Sequence, residues 1–116
     1  MPQTSEPRPV TAPARVALNG PQLVANLARV DGWRLFGDGA AIAIEKSYTF
    51  KNYLRTMAFV NAVAFIAEKY NHHPELMVRY NTCSVRFNTH DIGGISRSDF
   101  ECAAAVDALL QDAAAP

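Results

Sequence analysis

Apolar residues in this chain recur at helical intervals in some segments and at shorter, strand-like intervals in others. Leu23, Leu27 and Val30 share a helical spacing and predict a short helix over 21–30. Asn19 and Gly20 suit its cap, Pro21 its first turn, and Asp31-Gly32 its end. Segments 33–36 and 40–48 are β-prone and flank Gly37-Asp38-Gly39, which reads as a hairpin. Segment 50–70 holds neither Gly nor Pro and predicts the main helix. Its centre, 57–67, is apolar nearly all round and is broken only by Asn61. A surface helix normally keeps one polar face, so this one must be covered on more than one side, by the sheet and by another subunit.

Pro74 forces the chain out of helical geometry, because the residue before a proline disfavours the α region. Strands over 76–80 and 82–88 follow. In the second, Cys83, Val85 and Phe87 alternate with Thr82, Ser84, Arg86 and Asn88, the pattern of a half-buried antiparallel strand. Gly93-Gly94 forms a loop, and Ser96 starts a last helix carrying Phe100, Ala103, Val106 and Leu110 on one side. The order α-ββ-α-ββ-α predicts an α+β fold, a two-layer arrangement of an antiparallel four-stranded sheet with helices packed on one face. Residues 1–17, with Pro2, Pro7, Pro9 and Pro13 and no aromatic, read as a flexible tail; 18–112 read as one domain.

Composition narrows the function classes. The chain has 116 residues, 49% of them hydrophobic, which suits one folded domain. Eleven basic and eleven acidic residues cancel, so the footprint of a direct nucleic-acid binder or a polybasic membrane-surface protein is missing. The N-terminal segment lacks the apolar core of a secretory signal, and no stretch is apolar for long enough to span a bilayer. Two cysteines are too few for a disulfide scaffold. A cytoplasmic protein is expected.

The histidines supply the candidate chemistry. All three, His72, His73 and His90, fall within one nineteen-residue window. His72-His73-Pro74 lies where a helix exits, and Thr89-His90-Asp91 where the last strand exits. If both exits share a rim of the sheet, the imidazoles converge, and imidazole exchanges protons near pH 7. A three-His metal site is the first rival. Neighbouring residues in extended backbone point to opposite sides, however, and no H-x-x-x-H or C-x-x-C spacing is present, so metal ranks well below acid–base use. Structural explanations also exist. His72 alone suits a helix C-terminus, Glu68 and Lys69 a solvated helix end, and Ser96-Arg97-Ser98-Asp99 matches a capping box. Cys83 and Trp33 read as core, and Cys102 as a helix residue without an activating base.

The ordered set is more specific than any of its parts. Glu68-Lys69-Tyr70-Asn71-His72-His73-Pro74-Glu75, then Tyr80-Asn81, Val85, Thr89-His90, Gly94, Ile95-Ser96 and Asp99 resembles the pterin-4a-carbinolamine dehydratases. Gly32-Trp33 and Tyr48-Thr49-Phe50 resemble earlier landmarks of that family, and the likeness covers roughly 18–110. It departs mildly at Leu76, Phe87 and Ser96, and the departure at Leu76 removes an aromatic that some members place there.

The resemblance implies a small α+β subunit forming homodimers or homotetramers. It implies dehydration of the 4a-hydroxytetrahydropterin released by aromatic amino-acid hydroxylases, with no metal or cofactor beyond the pterin substrate. His72 and His90 are then the candidates for proton transfer, and His73 binds and orients the substrate. Asn71, Asn88, Thr89 and Asp91 line the same pocket, and Asp99 either orients an imidazole or only caps the last helix. Other relatives imply an alternative, a non-catalytic binding protein acting as a transcription cofactor or a RuBisCO assembly factor. A generic small-molecule binder with incidental histidines is the third reading.

Overall fold

The computed structural model describes residues 15–114, with side chains to residue 111. Among the described residues, three α-helices and four strands follow one another as α1 (Gly20–Leu27), β1 (Arg34–Phe36), β2 (Ala43–Thr49), α2 (Tyr53–Tyr70), β3 (Glu75–Val78), β4 (Thr82–Phe87) and α3 (Arg97–Ala114). The strands form one antiparallel sheet in the order β1-β2-β4-β3. This is the expected two-layer α+β arrangement.

Register divides the sheet into two faces. Ile44, Lys46 and Tyr48 stand opposite Phe87, Val85 and Cys83, and Leu76 opposite Val85, on the face that the helices cover. Ile44, Val63, Cys83, Val85, Phe87, Ala103 and Val106 are fully buried there. Each large apolar side chain among them stabilises the fold by roughly 1.5–3 kcal/mol relative to exposure. Glu45, Ser47, Glu75, Met77, Ser84 and Arg86 occupy the other face, which no helix among the described residues covers.

Lys46 is a charged residue on the inward face, and its neighbours account for it. Its Nζ donates to Asp107 Oδ1 at 2.9 Å and to the Asp31 carbonyl at 2.8 Å. The same carboxylate accepts from Tyr48 at 2.6 Å and from Trp33 Nε1 at 3.0 Å, tying α3 to β2 and to the turn after α1. Burial, then the hydrogen bond to Asp107, pushes the Tyr48 phenol above its ordinary pKa. Gly32 has φ +85°, the left-handed region that favours glycine, and a Cβ there would lie 2.9 Å from Cε near the end of the Lys46 side chain.

Several boundaries differ from the sequence expectation. The first helix ends at Leu27, because Arg29, Val30 and Trp33 amides form tight turns instead of helical bonds. Ala40 and Ala41 belong to a 3-10 turn over Gly39–Ala41, so β2 starts at Ala43. Helix α2 starts at Tyr53 because Asn52 caps it through the Arg55 amide at 2.9 Å, while the Phe50 amide bonds to the Asn81 carbonyl. Residues 15–17 fall in the expected tail yet are pinned: Ala17 bridges to Ser96, and the Leu18 amide donates to the Ile95 carbonyl at 2.9 Å. The remainder of the expected tail, 1–14, lies outside the described residues.

Candidate active site

Helix α2 delivers the first two histidines. Asn71 closes it in a left-handed conformation, φ +50°, and the His72 amide bonds to the Ala67 carbonyl. The chain then straightens through Pro74 into β3, so the two neighbouring imidazoles face different surroundings.

His72 points inward and is 5% exposed. Its Nε2 lies 2.5 Å from Asp99 Oδ1, a geometry in which the ring N–H donates to the carboxylate. The ring also lies parallel to Phe87, with centroids 5.9 Å apart. Asp99 is fully buried in the first turn of α3. Its Oδ2 accepts from Thr89 Oγ1 at 2.7 Å and from the Ser96 amide at 2.9 Å. Thr89 has one hydroxyl proton to give, so Ser96 Oγ donates to Thr89 Oγ1, 2.6 Å away. Asp99 thus caps its helix and holds an imidazole at once, and every member of this buried network is bonded.

His73 turns outward. Its Nε2 lies 2.7 Å from Glu68 Oε2, which leaves Nδ1 as its remaining acceptor. Glu68 was expected only as a solvated helix end; it stands one turn back on α2, where it reaches the ring that follows the helix.

His90 opens a 3-10 turn, His90–Ile92, immediately after Thr89. Thr89 bridges to Gly94, which closes the turn, and Gly93 takes φ +57°. A Cβ on Gly93 would sit 3.3 Å from the Ala40 side chain, so this turn and the 39–41 turn nest together. The His90 ring is exposed and makes no side-chain hydrogen bond among the described residues.

His73, His90 and Asn88 line one cavity of about 470 Å³ on the uncovered face of the sheet, with Glu75, Arg86 and the small Ala40, Ala41 and Ala43. Asn88 is held by its amide nitrogen, which donates to the Ile42 carbonyl at 2.5 Å, so its carbonyl oxygen is left for a ligand. The volume admits a flat bicyclic molecule, and the alanines leave room beside it. Two imidazoles, one exposed and one carboxylate-bound, are groups able to exchange protons with such a molecule.

The expected site residues therefore separate into layers. His73, His90 and Asn88 line the cavity; His72, Thr89 and Asp99 form the buried network behind it. Asn71 and Asp91 flank the two histidine segments and do not line the cavity. Both meet Arg15, whose Nη2 donates to the Asn71 carbonyl at 2.7 Å and whose Nη1 lies 4.0 Å from Asp91 Oδ2. Arg15, Glu75 and Arg86 were not anticipated. The alternation of β4 places Arg86 on the same face as Asn88, a signal that was available; Arg15 offered none. Among the described residues, no group of three or more His, Cys, Asp or Glu side chains is gathered so as to hold a metal ion. Burial pushes the Cys102 thiol up to about 12, and the Cys83 thiol is raised for the same reason.

The profile of the family described as pterin 4 alpha carbinolamine dehydratase matches residues 16–109. A protein of Paracidovorax citrulli, provisionally named pterin-4-alpha-carbinolamine dehydratase, is 59% identical over 100 residues, covering 86% of each chain. A Bdellovibrio bacteriovorus protein with the same provisional name is 47% identical over 120 residues, covering 100% of this chain and 97% of its own. Among solved structures, a transcriptional coactivator/pterin dehydratase from Brucella melitensis superposes with a TM-score of 0.75 at 30% identity. That match covers 81% of this chain and 98% of the other. A pterin dehydratase-like protein identified as a RuBisCO assembly factor in the alpha-carboxysome gives 0.57 at 25% identity, over 67% and 88%.

Proposed function

The chain belongs to the pterin 4 alpha carbinolamine dehydratase family, and from that premise we propose that it dehydrates 4a-hydroxytetrahydropterins to quinonoid dihydropterins. The observation that carries this reading is the cavity of about 470 Å³ with His73 and His90 in its wall. The reaction breaks the C4a–O bond and forms the C4a=N5 double bond. The oxygen must gain a proton to leave as water, and N5 must lose one. His90 is the acid in this proposal, since it is exposed and its ring makes no hydrogen bond among the described residues. His73 binds and orients the ring and takes the N5 proton on Nδ1, because Glu68 already engages Nε2. A positioned proton-transfer group contributes about 10²–10⁴-fold.

His72 carries a different weight from the one expected for it. With Nε2 on Asp99 and its ring 5% exposed, it acts in this proposal as a positioning residue behind the wall. It holds the α2 exit against the strand exit that bears His90. Asn88 is proposed to hold the pterin edge, with Thr89 and Asp91 shaping the turn that carries His90, and no cofactor is invoked.

A homo-oligomer in the cytoplasm is proposed as the working form. Leu54 and Phe65 lie eleven residues, three helical turns, apart on α2, and each is 78% exposed. No helix among the described residues is long and apolar enough to cross a membrane. The same exposed stripe favours a second reading, a scaffold that binds another protein, which the names of the two structural neighbours also support. Rate measurements on purified protein, with His90→Ala and His73→Ala beside wild type, separate the readings. Only the dehydratase reading expects acceleration that both substitutions suppress.

A further inference from the structure

Arg86, in the cavity wall, is engaged within the sheet: it lies over Phe36, 3.8 Å from the ring centroid, and its Nε donates to the buried Glu45 carboxylate at 2.8 Å. Arg15 is placed differently. It lies outside the cavity wall and spans the two segments that carry the cavity histidines. Its Nη2 donates to the Asn71 carbonyl at 2.7 Å, and its Nη1 lies 4.0 Å from Asp91 Oδ2. Asn71 directly precedes His72-His73, and Asp91 directly follows His90. The Arg15 side chain is 25% exposed against 75% for Asp91, so the bond to Asn71 is the sheltered anchor and the ion pair the adjustable one.

The contact to Asn71 falls where the backbone has a group to satisfy. Asn71 ends α2 in the left-handed region, φ +50° and ψ +48°, and a helix C-terminus leaves carbonyls without intrahelical partners. A guanidinium there satisfies one of them and complements the helix dipole. Arg15 is itself carried by an anchored segment, since Ala17 bridges to Ser96 and the Leu18 amide donates to the Ile95 carbonyl at 2.9 Å. Ser96 is also the residue whose amide donates to Asp99. The outer tether and the buried His72–Asp99–Thr89 network therefore share an anchor at the start of α3.

Neither cavity imidazole is fixed by a buried partner of its own. His73 and its partner Glu68 are both exposed, and the His90 ring makes no hydrogen bond among the described residues. The separation of the two rings depends on the backbone at 71–73 and at 90–92, which leave different elements. We propose that Arg15 is a positioning residue for the proton transfers, clamping these two segments so that His73 and His90 keep a reactive separation. This rests on the dehydratase reading above. Arg15 does not line the cavity, so it bears on turnover and not on binding.

The test is steady-state kinetics of the full-length protein on a 4a-hydroxytetrahydropterin generated in situ, with calorimetric titration by a 7,8-dihydropterin as the binding control. Arg15→Ala should lower kcat about tenfold, within the loss that an ångström of misplacement causes, while KM and the dihydropterin affinity stay within about twofold. Arg15→Lys keeps the charge and a donor but not the fork, and should restore kcat to within about threefold of wild type. Asp91 is exposed, so Asp91→Asn reads the clamp even where Arg15→Ala misfolds by circular dichroism. It should cost about threefold alone, and nothing further in the Arg15→Ala background, because both changes remove the same contact. An undiminished kcat in Arg15→Ala, a loss carried by KM or affinity alone, no recovery in Arg15→Lys, or multiplying losses in the double variant overturns the inference alone. A wild-type protein that does not accelerate the reaction overturns the dehydratase reading itself, and the inference with it.

Discussion

His72 and Asp99, 27 positions apart in sequence, meet with Nε2 and Oδ1 2.5 Å apart in the core. The contact joins the exit of α2 to the start of α3, and Thr89 extends it to the segment bearing His90. Removing the carboxylate leaves the His72 ring, the Thr89 hydroxyl and the Ser96 amide without their shared acceptor. Asp99→Ala should therefore destabilise the fold by about 3–5 kcal/mol, read from urea unfolding. A loss below about 1 kcal/mol would mean that the network is not what holds these segments.

The capping role of Asp99 was legible, because Ser96 and Asp99 stand at capping-box spacing. That it holds an imidazole was implied by the family resemblance alone, and that the imidazole is His72 was not legible, since no local pattern encodes a bond across 27 residues. Likewise the alternation of 82–88 identified the inward face of β4 correctly, and the Gly-Asp-Gly segment marked the β1–β2 connection. Ala40 and Ala41 misled: small residues accept either a strand or a 3-10 turn, and packing of Gly93 against Ala40 favours the turn. Phe50 misled as well, since its aromatic character fits the helical run while its amide is claimed by the sheet partner Asn81. The Glu45–Arg86 pair needed strand register, which sequence alone does not supply.

Arg15 draws the two histidine segments together from outside. Its bond to the Asn71 carbonyl is a charge-assisted contact to the residue that ends α2. Arg15→Ala should leave global stability within about 1 kcal/mol of wild type. Amide exchange at 71–73 should then rise about fivefold or more, by local opening. Unchanged exchange at those amides would show that Arg15 does not restrain them.

Alkaline pH should expose the buried acids. Cys102 is pushed up to about 12 by burial, then by the Asp99 and Glu101 charges, against an ordinary value of 9.0. A folded state that holds a proton more tightly than the unfolded state gains stability below the unfolded pKa and loses it as pH rises. Stability should thus be insensitive to this thiol below about pH 8 and fall between about 9 and 12, with Tyr48 steepening the loss at the upper end. Urea midpoints measured from pH 7 to 11 check this; a Cys102→Ala variant should show a shallower decline, and an equal decline would exclude the thiol as its source.

The apolar stripe of α2 should be an interface between copies of the chain. Size-exclusion chromatography with light scattering should give a mass that is a multiple of 12.7 kDa. The double substitution Leu54→Glu, Phe65→Glu should give the single-chain mass, because it places carboxylates at positions that are 78% exposed in one subunit. A wild-type protein at 12.7 kDa would leave the stripe for a different partner.

The central claim is dehydration at the cavity between His73 and His90. Its most direct measurement follows the absorbance decay of a 4a-hydroxytetrahydropterin, generated by an aromatic amino-acid hydroxylase, with and without the purified protein. The account predicts decay faster than the uncatalysed rate in proportion to protein concentration. It also predicts a loss of about 10²-fold or more in His90→Ala that retains its fold by circular dichroism. Decay at the uncatalysed rate in the presence of wild-type protein would contradict it.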